Sequence, residues 1–323
     1  MNNLSPFENY FTLPRPGNYL LVLAAGVLLA LVVFFLTAKK RDIPVKAALT
    51  AAALSLILGA FLARLQYFVV EHPFWDEVPG LFFSPQDVRE FGFMGAVAGV
   101  LLAALITNRL FKMRGVGNAM ALPGLLAVVF ARMGEIFVPF GTGGYVEATS
   151  FQFIPLSIPD GFGDYVFSVF LVEALWALLI LLYIRFSANY PSSVDLLLAL
   201  TLFFAGQIVL ESIRAEALRA GFIRVQQAVS AAGLFTILLY CQHRTKEGRT
   251  IRIQRVVLFT IVALLVVAGE FALDRTPWAD IYVYLGMIMV VMIMAGIVVH
   301  AVLAREEQLL GFDRCGPGGC ALQ

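Results

Sequence analysis

The sequence predicts an all-α integral membrane protein, a polytopic helical bundle of about nine transmembrane helices. Sixty per cent of the 323 residues are hydrophobic, 14% are charged, and the mean hydropathy is +0.85. A soluble domain of this length could not hide that much apolar surface. The apolar residues also collect in long runs, and each run is long enough to cross a bilayer as a helix.

The predicted spans follow one another along most of the chain. They cover residues 17–38, 45–70, 91–111, 118–140, 165–186, 193–215, 222–242, 256–274 and 281–303. The segment before the first run is polar, and the run itself is long enough to span, so we expect no cleavable signal peptide.

The orientation of the spans is predicted by the basic residues, which fall in alternate loops. These residues are Lys39, Lys40, Arg41, Lys46, Arg109, Lys112, Arg114, Arg185 and the arginines between 244 and 255. The remaining loops are acidic, with Glu71, Asp76, Glu77, Asp87, Glu147, Asp160 and Asp164. Because basic loops remain in the cytoplasm, we expect an external N-terminus and a cytoplasmic C-terminus.

The two long loops on the external side, 71–90 and 141–164, are rich in aromatic residues and proline. This composition is typical of re-entrant or interfacial segments at headgroup level. Ordinary surface loops are equally compatible with it.

Two charged pairs within apolar spans define the candidate functional site. Arg132 with Glu135, and Glu211 with Arg214, have i, i+3 spacing, which places both members of a pair on one helix face. Charges at membrane depth are costly and normally face a protein interior, a cavity or a ligand. A structural salt bridge within one helix is the alternative for each pair.

Further polar residues accompany these pairs. Arg64 and Tyr67 end the second span one turn apart, where an interfacial anchor pair is the alternative; Glu173 lies in the fifth span, and Gln227 begins the seventh. In the predicted orientation nearly all of them lie in the external half. The glycine-rich segment after Glu135 could break its helix and present backbone amides to an anion.

Arginines and carboxylates at the outer leaflet suit chemistry on a phospholipid headgroup. Guanidinium groups bind phosphate bidentately and stay charged, and a neighbouring carboxylate can take a proton from a nucleophile. Ion transport would instead require carbonyl rings or acidic relays at the bilayer midplane. The net charge of +1 does not indicate nucleic-acid binding, and we expect no cofactor.

The cysteines do not form a disulfide framework. Cys241 falls at a predicted cytoplasmic helix end, and Cys315 and Cys320 lie in a Cys-Gly-Pro-Gly-Gly-Cys segment near the C-terminus. This segment could bind a metal or carry a lipid, but it lacks the second half of a zinc-site spacing. We expect an unstructured tail and no metal.

Several short motifs occur in one order between about residues 15 and 245. They are Gly-Ala-Phe-Leu-Ala-Arg-Leu-Gln-Tyr (59–67), Gly-Phe-Met-Gly (92–95) with Gly99, Ala-Arg-Met-Gly-Glu-Ile-Phe (131–137) with Gly143, Val-Glu (172–173), Gln-Ile-Val-Leu-Glu-Ser-Ile-Arg (207–214) and Gln-Gln-Ala-Val-Ser (226–230). This series resembles the prolipoprotein diacylglyceryl transferase family. Its members move a diacylglyceryl group from phosphatidylglycerol to the cysteine thiol of a lipoprotein precursor.

The resemblance implies a domain organisation and a location. Residues 1–245 would form a transferase-like seven-helix membrane domain, 246–304 two additional transmembrane helices and 305–323 a cytoplasmic tail. The protein would lie in the bacterial cytoplasmic (inner) membrane, with phosphatidylglycerol and a lipobox-containing prolipoprotein as substrates. Its activity would be this diacylglyceryl transfer or a closely related lipid-group transfer.

The resemblance also implies roles for individual residues. The expected catalytic residues are Arg132, Glu135, Glu211 and Arg214. The expected substrate-binding residues are Arg64, Tyr67, Gly95, Gly143, Glu173 and Gln227.

Three positions depart from the family pattern. Met94 stands in place of a functional histidine, Glu135 in place of an asparagine, and Gln207 in place of an arginine. A thioether cannot take a proton, and an amide cannot neutralise a phosphate. The alternative function is therefore a diverged member that binds anionic phospholipid, or acts as a membrane interaction partner, without transfer.

Overall fold

Long helices make up nearly all of the computed structural model, which describes residues 15–71, 79–85, 87–138, 141–160, 162–186, 192–220, 223–245, 248–275 and 280–314. In this part of the chain the helices are α1 (Pro16–Lys40), α2 (Val45–Glu71), the one-turn α3 (Pro79–Phe82), α4 (Phe93–Leu110), α5 (Val116–Gly134), α6 (Val169–Phe186), α7 (Asp195–Ile213), α8 (Val225–Arg244), α9 (Arg249–Arg275) and α10 (Asp280–Arg314). The predicted all-α fold class is confirmed.

Eight of the nine long helices in the described ranges are long and apolar enough to cross a membrane. The exception is α8, which forms at the predicted run 222–242 but carries Gln226, Gln227 and Gln242 and ends on His243 and Arg244. The protein is therefore a multi-pass membrane protein with eight apolar spans by this criterion, against about nine expected.

The chain divides into two compact units, Met1–Ser187 with Leu210–Ala228, and Ala188–Val209 with Val229–Gln323. In the first unit α2 packs along α4, α1 along α5, and α5 along α6. The α2–α4 contact is close because both helices present small residues: an added Cβ at Gly95 or Gly99 would collide with the backbone of Leu62 or Leu58. Small residues allow such close approach of helices in membranes.

The loop between α5 and α6 is held by backbone hydrogen bonds. Strands β1 (Ser157–Pro159) and β2 (Tyr165–Phe167) pair antiparallel. The Asp160 side chain accepts hydrogen bonds from the amides of Phe162 (2.9 Å) and Asp164 (3.0 Å). This part of the predicted external loop is therefore an ordered hairpin. Of the loop 71–90, residues 72–78 and 86 lie outside the described residues.

In the second unit α9 and α10 pack against each other. They correspond to the two additional helices expected within 246–304, and α10 continues to Arg314, so the first residues of the expected tail are helical. Ser193 donates a hydrogen bond to Glu306 of α10. Cys241 is buried, whereas Cys315 and Cys320 lie outside the described residues. The domain boundary at 245/246 stays a prediction.

The close α2–α4 contact predicts that Gly99→Ala destabilises the protein, because the new methyl group would collide with the Leu58 backbone. We expect a loss of about 1–3 kcal/mol in the free energy of unfolding, measured by thermal unfolding in detergent micelles. Gly124→Ala is the matched control, since an added Cβ there meets nothing within 4 Å and alanine favours helix by about 1 kcal/mol. Equal melting temperatures for the two variants would contradict this packing.

Candidate active site

The charged residues of the candidate site come from three helix ends in the first unit. Arg132 lies in the last turn of α5, and Glu135 begins the 3₁₀ turn that follows it. Glu173 lies in the first half of α6, and Glu211 and Arg214 lie at the C-terminal end of α7. All five are buried, with 0% exposure for Glu173 and Glu211 and at most 6% for the others.

Glu173 joins the two predicted pairs into one network. Its Oε2 atom lies 2.8 Å from Arg132 Nε and accepts a hydrogen bond from Arg214 Nη2. Arg132 Nη1 donates to Glu135 Oε1. Arg214 also lies 3.5 Å from Glu135 through Nη1 and 3.5 Å from Glu211 through Nε. The i, i+3 salt bridges that the spacing predicted as the alternative are present, but they belong to a larger network that joins three helices.

A third arginine, Arg224, completes the charge balance. It lies in the short strand β4 (Ile223–Arg224), which pairs with β3 (Arg219–Ala220). Its Nη1 atom donates to the carbonyl oxygens of Glu211 (2.6 Å) and Arg214 (2.8 Å). The guanidinium therefore caps the C-terminal end of α7, where a positive charge is favourable.

Two aromatic residues support the network. The Arg132 guanidinium lies over the ring of Phe93, 4.3 Å from its centroid, and Phe93 is the first residue of α4, next to the buried Met94. Tyr19 of α1 packs against Gly134: an added Cβ there would lie 3.1 Å from Tyr19 Cδ2. Sequence reasoning missed both residues, because an aromatic side chain in an apolar span gives no polar signal.

Arg64 and Tyr67 form a second cluster, at the end of α2. Arg64 Nε donates to the Phe82 carbonyl (3.0 Å), and Nη1 contacts Glu90 Oε2 (2.6 Å). The guanidinium also lies 5.7 Å from the Tyr67 ring centroid. These contacts tie α2 to the segment that leads into α4, so a substrate-binding role for Arg64 and Tyr67 stays a prediction.

The remaining expected binding residues have backbone or packing roles here. Gly95 lies against α2, and the Gly143 amide donates to the Phe167 carbonyl (2.8 Å). Gly143 also pairs with Arg214 in an isolated β-bridge. Gln227 lies in the first turn of α8 and is half-buried. Headgroup contacts for these residues stay predictions.

Some buried polar atoms of the network lack a hydrogen-bond partner among the described residues. They include Arg132 Nη2 and both carboxylate oxygens of Glu211. Buried polar groups are normally satisfied, and an exception calls for an explanation. A ligand with phosphate oxygens and a transferable proton would satisfy both kinds of atom.

Fold and site together define a polytopic α-helical membrane protein with a buried arginine–glutamate site. Residues 16–243 match the family model for prolipoprotein diacylglyceryl transferase. The chain belongs to this family, and the resemblance predicted from its motifs is confirmed.

Three relatives that carry this name match the chain over most of their own length. The chain is 29% identical over 255 residues to the phosphatidylglycerol–prolipoprotein diacylglyceryl transferase of Gloeobacter violaceus, covering 71% of this chain and 92% of the relative. It is 26% identical over 231 residues to transferase 1 of Clostridium perfringens, covering 67% and 85%. It is 27% identical over 244 residues to the Clostridium kluyveri transferase, covering 72% and 94%.

The central position of Glu173 predicts that Glu173→Ala is strongly destabilising. Both arginines would lose their shared carboxylate, and removing one partner of a buried ion pair costs about 3–5 kcal/mol. Thermal unfolding in detergent micelles measures this loss. Asp87→Asn is the control, since it keeps the acceptor for the Arg89 amide and weakens only the exposed Asp87–Arg89 pair, and such pairs contribute about 0–1 kcal/mol. An equally small loss of unfolding free energy in both variants would contradict the central role of Glu173.

Proposed function

We propose that this protein transfers a diacylglyceryl group from phosphatidylglycerol to the cysteine thiol of a prolipoprotein. The observation that carries the proposal is the buried network of Arg132, Arg214 and three glutamates within the part of the chain that matches the family. The names of its relatives supply the donor and the acceptor. The network supplies positive groups for a phosphate and carboxylates for a proton.

The two arginines are proposed to hold the phosphate of phosphatidylglycerol. A guanidinium presents a planar fork of donors that matches phosphate oxygens, and Arg132 Nη2 has no hydrogen-bond partner among the described residues. Negative charge grows on the leaving oxygen as the bond to carbon breaks. Fixed guanidinium groups at that point stabilise the transition state.

Glu211 is proposed to accept the proton of the thiol. Sequence reasoning offers Glu135 or Glu211 for this role. Glu135 already accepts a hydrogen bond from Arg132, whereas neither Glu211 oxygen has a hydrogen-bond donor among the described residues. The sulfur then attacks the diacylglyceryl carbon next to the phosphate, a C–S bond forms, and the C–O electron pair leaves with glycerol phosphate.

A second candidate function is binding of anionic phospholipid without transfer. Met94, in place of the family histidine, is buried at 2% exposure and cannot move a proton. Arg132 and Arg214 also already contact carboxylates. A product assay separates the two functions, because both require lipid binding and only the first yields a thioether.

We further propose that the N-terminus lies outside and the C-terminus inside the bacterial cytoplasmic membrane. Helix α5 starts beside Arg114 and ends at the site, and α6 runs from the site to Arg185. Both basic ends therefore lie opposite the arginine–glutamate network. With the basic ends in the cytoplasm, the site opens at the outer leaflet.

The proposed reaction predicts a thioether product from purified protein, phosphatidylglycerol labelled in the glycerol of its diacylglyceryl group, and a lipobox peptide. Arg132→Lys should lower the rate roughly 10- to 100-fold, because each lost charge-assisted bond contributes about 1.5–3 kcal/mol and lysine lacks the planar fork. Mild alkaline hydrolysis removes the ester-linked acyl chains and leaves the glyceryl group bonded to the cysteine sulfur. Mass spectrometry of the hydrolysed peptide then detects this thioether-linked glyceryl group.

Arg89→Lys is the matched control for this assay, because Arg89 belongs to an exposed ion pair and should retain the wild-type rate. Lipid binding by the wild-type protein without any thioether would favour the second candidate function. An unchanged rate in Arg132→Lys would remove Arg132 from the proposed site.

The proposed orientation predicts which positions a membrane-impermeant thiol reagent can reach in whole cells. Single cysteines at Gly80 and Phe162 should react, and one at Gly248 should not, in a background with the three native cysteines replaced by alanine. All three positions are exposed, and an added Cβ at Gly80 or Gly248 meets nothing within 4 Å. Labelling at Gly248 alone would invert the topology and exclude external lipoprotein modification.

A further inference from the structure

A groove far along the chain from the arginine–glutamate network lies between α8 and α9 of the second unit. It has a volume of about 600 Å³ and is lined by Leu239, Gln242, His243, Arg249, Arg252, Ile253, Val256 and Val257. On α9 these residues follow the spacing i, i+3, i+4, i+7 and i+8, which is one face of a helix. The groove is therefore a continuous surface between two helix faces.

The lining of the groove is amphiphilic along its length. One end, where α8 ends and α9 begins, is polar and consists of Gln242, His243, Arg249 and Arg252. The other end is apolar and consists of Leu239, Ile253, Val256 and Val257. Val256 and Val257 are the first two residues of the apolar stretch of α9. A ligand that fits both ends carries an anionic or polar head on an apolar chain.

The polar end contains donors without a partner among the described residues. Gln242 is only 4% exposed, and its Nε2 atom has no hydrogen-bond acceptor; the same holds for Arg252 Nε. None of the described residues that line the groove is a carboxylate. Buried donors of this kind require an acceptor, and a ligand with several negatively charged oxygens provides it.

Three other arginines of the second unit make contacts within the protein. Arg305 and Arg244 lie over the Tyr240 ring, at 5.0 and 6.0 Å from its centroid. Arg255 contacts His300 at 3.2 Å. These three arginines have partners within the protein. Among the described residues, the side chains of Arg249 and Arg252 form no ion pair and no hydrogen bond. The two groove arginines are therefore the groups that can bind an external anion.

We propose that this groove binds an anionic phospholipid, with the phosphate at Gln242, Arg249 and Arg252 and an acyl chain along Ile253, Val256 and Val257. Basic pockets between transmembrane helices at a membrane surface bind such headgroups, and each nearby arginine contributes a favourable electrostatic interaction. The lipid would come from the leaflet at the basic ends of α8 and α9. The groove would bind it without any chemical step.

The test compares variants by native mass spectrometry in detergent, with phosphatidic acid as the probe. Arg249→Gln with Arg252→Gln should weaken the tightest binding of phosphatidic acid roughly 30-fold, at about 1 kcal/mol for each arginine. Arg249→Lys with Arg252→Lys should retain most of it. The matched control, Arg109→Gln with Arg114→Gln, removes two exposed arginines outside the groove and should bind like the wild type.

Two further probes distinguish the source of the phosphate. Glycerol 3-phosphate carries the headgroup alone and should neither bind at this site nor displace phosphatidic acid at equal concentration. Phosphatidylcholine carries the chains with no net charge and should bind at least tenfold more weakly. Equal competition by glycerol 3-phosphate would overturn the lipid in favour of a soluble phosphate, and equal binding of phosphatidylcholine would overturn the role of the arginines.

A measurement on the wild-type protein keeps the inference testable if the glutamine variants do not fold. Phosphatidic acid with a photoactivatable acyl chain should cross-link to the α9 segment 253–257, as mapped by peptide mass spectrometry. Cross-linking confined to other helices would overturn the assignment. The groove variants should also retain the wild-type rate of diacylglyceryl transfer, so failure of this inference leaves the proposed function unaffected.

Discussion

The carboxylate of Glu173, buried between Arg132 and Arg214, is the interaction on which the arrangement of the first unit depends. Two guanidinium groups with at most 4% exposure could not remain charged inside an apolar bundle without a counter-charge close by. Glu173 lies on α6, whereas the arginines lie at the ends of α5 and α7. One side chain therefore joins three helix ends, and any repacking of these helices would separate opposite charges in a medium where their attraction is strong.

The backbone around the network restrains the same three ends. The Ala215 amide donates to the Thr142 carbonyl (3.0 Å), and the Phe170 amide donates to the Gly141 carbonyl (2.9 Å). These bonds connect the segment after α5 to the end of α7 and the start of α6. An added Cβ at Gly143 would lie 2.6 Å from the Ile213 carbonyl. This close approach, which only glycine permits, is a structural reason for a glycine at this position.

The ion pairs also constrain how an anionic substrate could bind. Arg132 and Arg214 already contact glutamates, so a phosphate would exchange with a carboxylate as the partner of a guanidinium. Such an exchange leaves no arginine unpaired in the bundle, but the displaced carboxylate loses its counter-charge and must take up a proton or find another cation. The anion site proposed between α8 and α9 differs in this respect, because none of the described residues that line it is a carboxylate. The two proposals therefore use arginine in different ways, one by exchange of an ion-pair partner and one by direct binding of an anion.

The sequence by itself determined the fold class, eight of the nine predicted spans and the family, because hydropathy and ordered motifs are properties of the chain read in one dimension. It also identified Arg132, Glu135, Glu211 and Arg214, since charges in apolar runs stand out and i, i+3 spacing reports one helix face. Only the tertiary structure decided that Glu173 is shared by both arginines, that Arg224 caps α7, and that Tyr19 and Phe93 pack around the network. These contacts join residues far apart in sequence, and the choice of an ion-pair partner depends on the distance between helices, which spacing along one helix cannot specify.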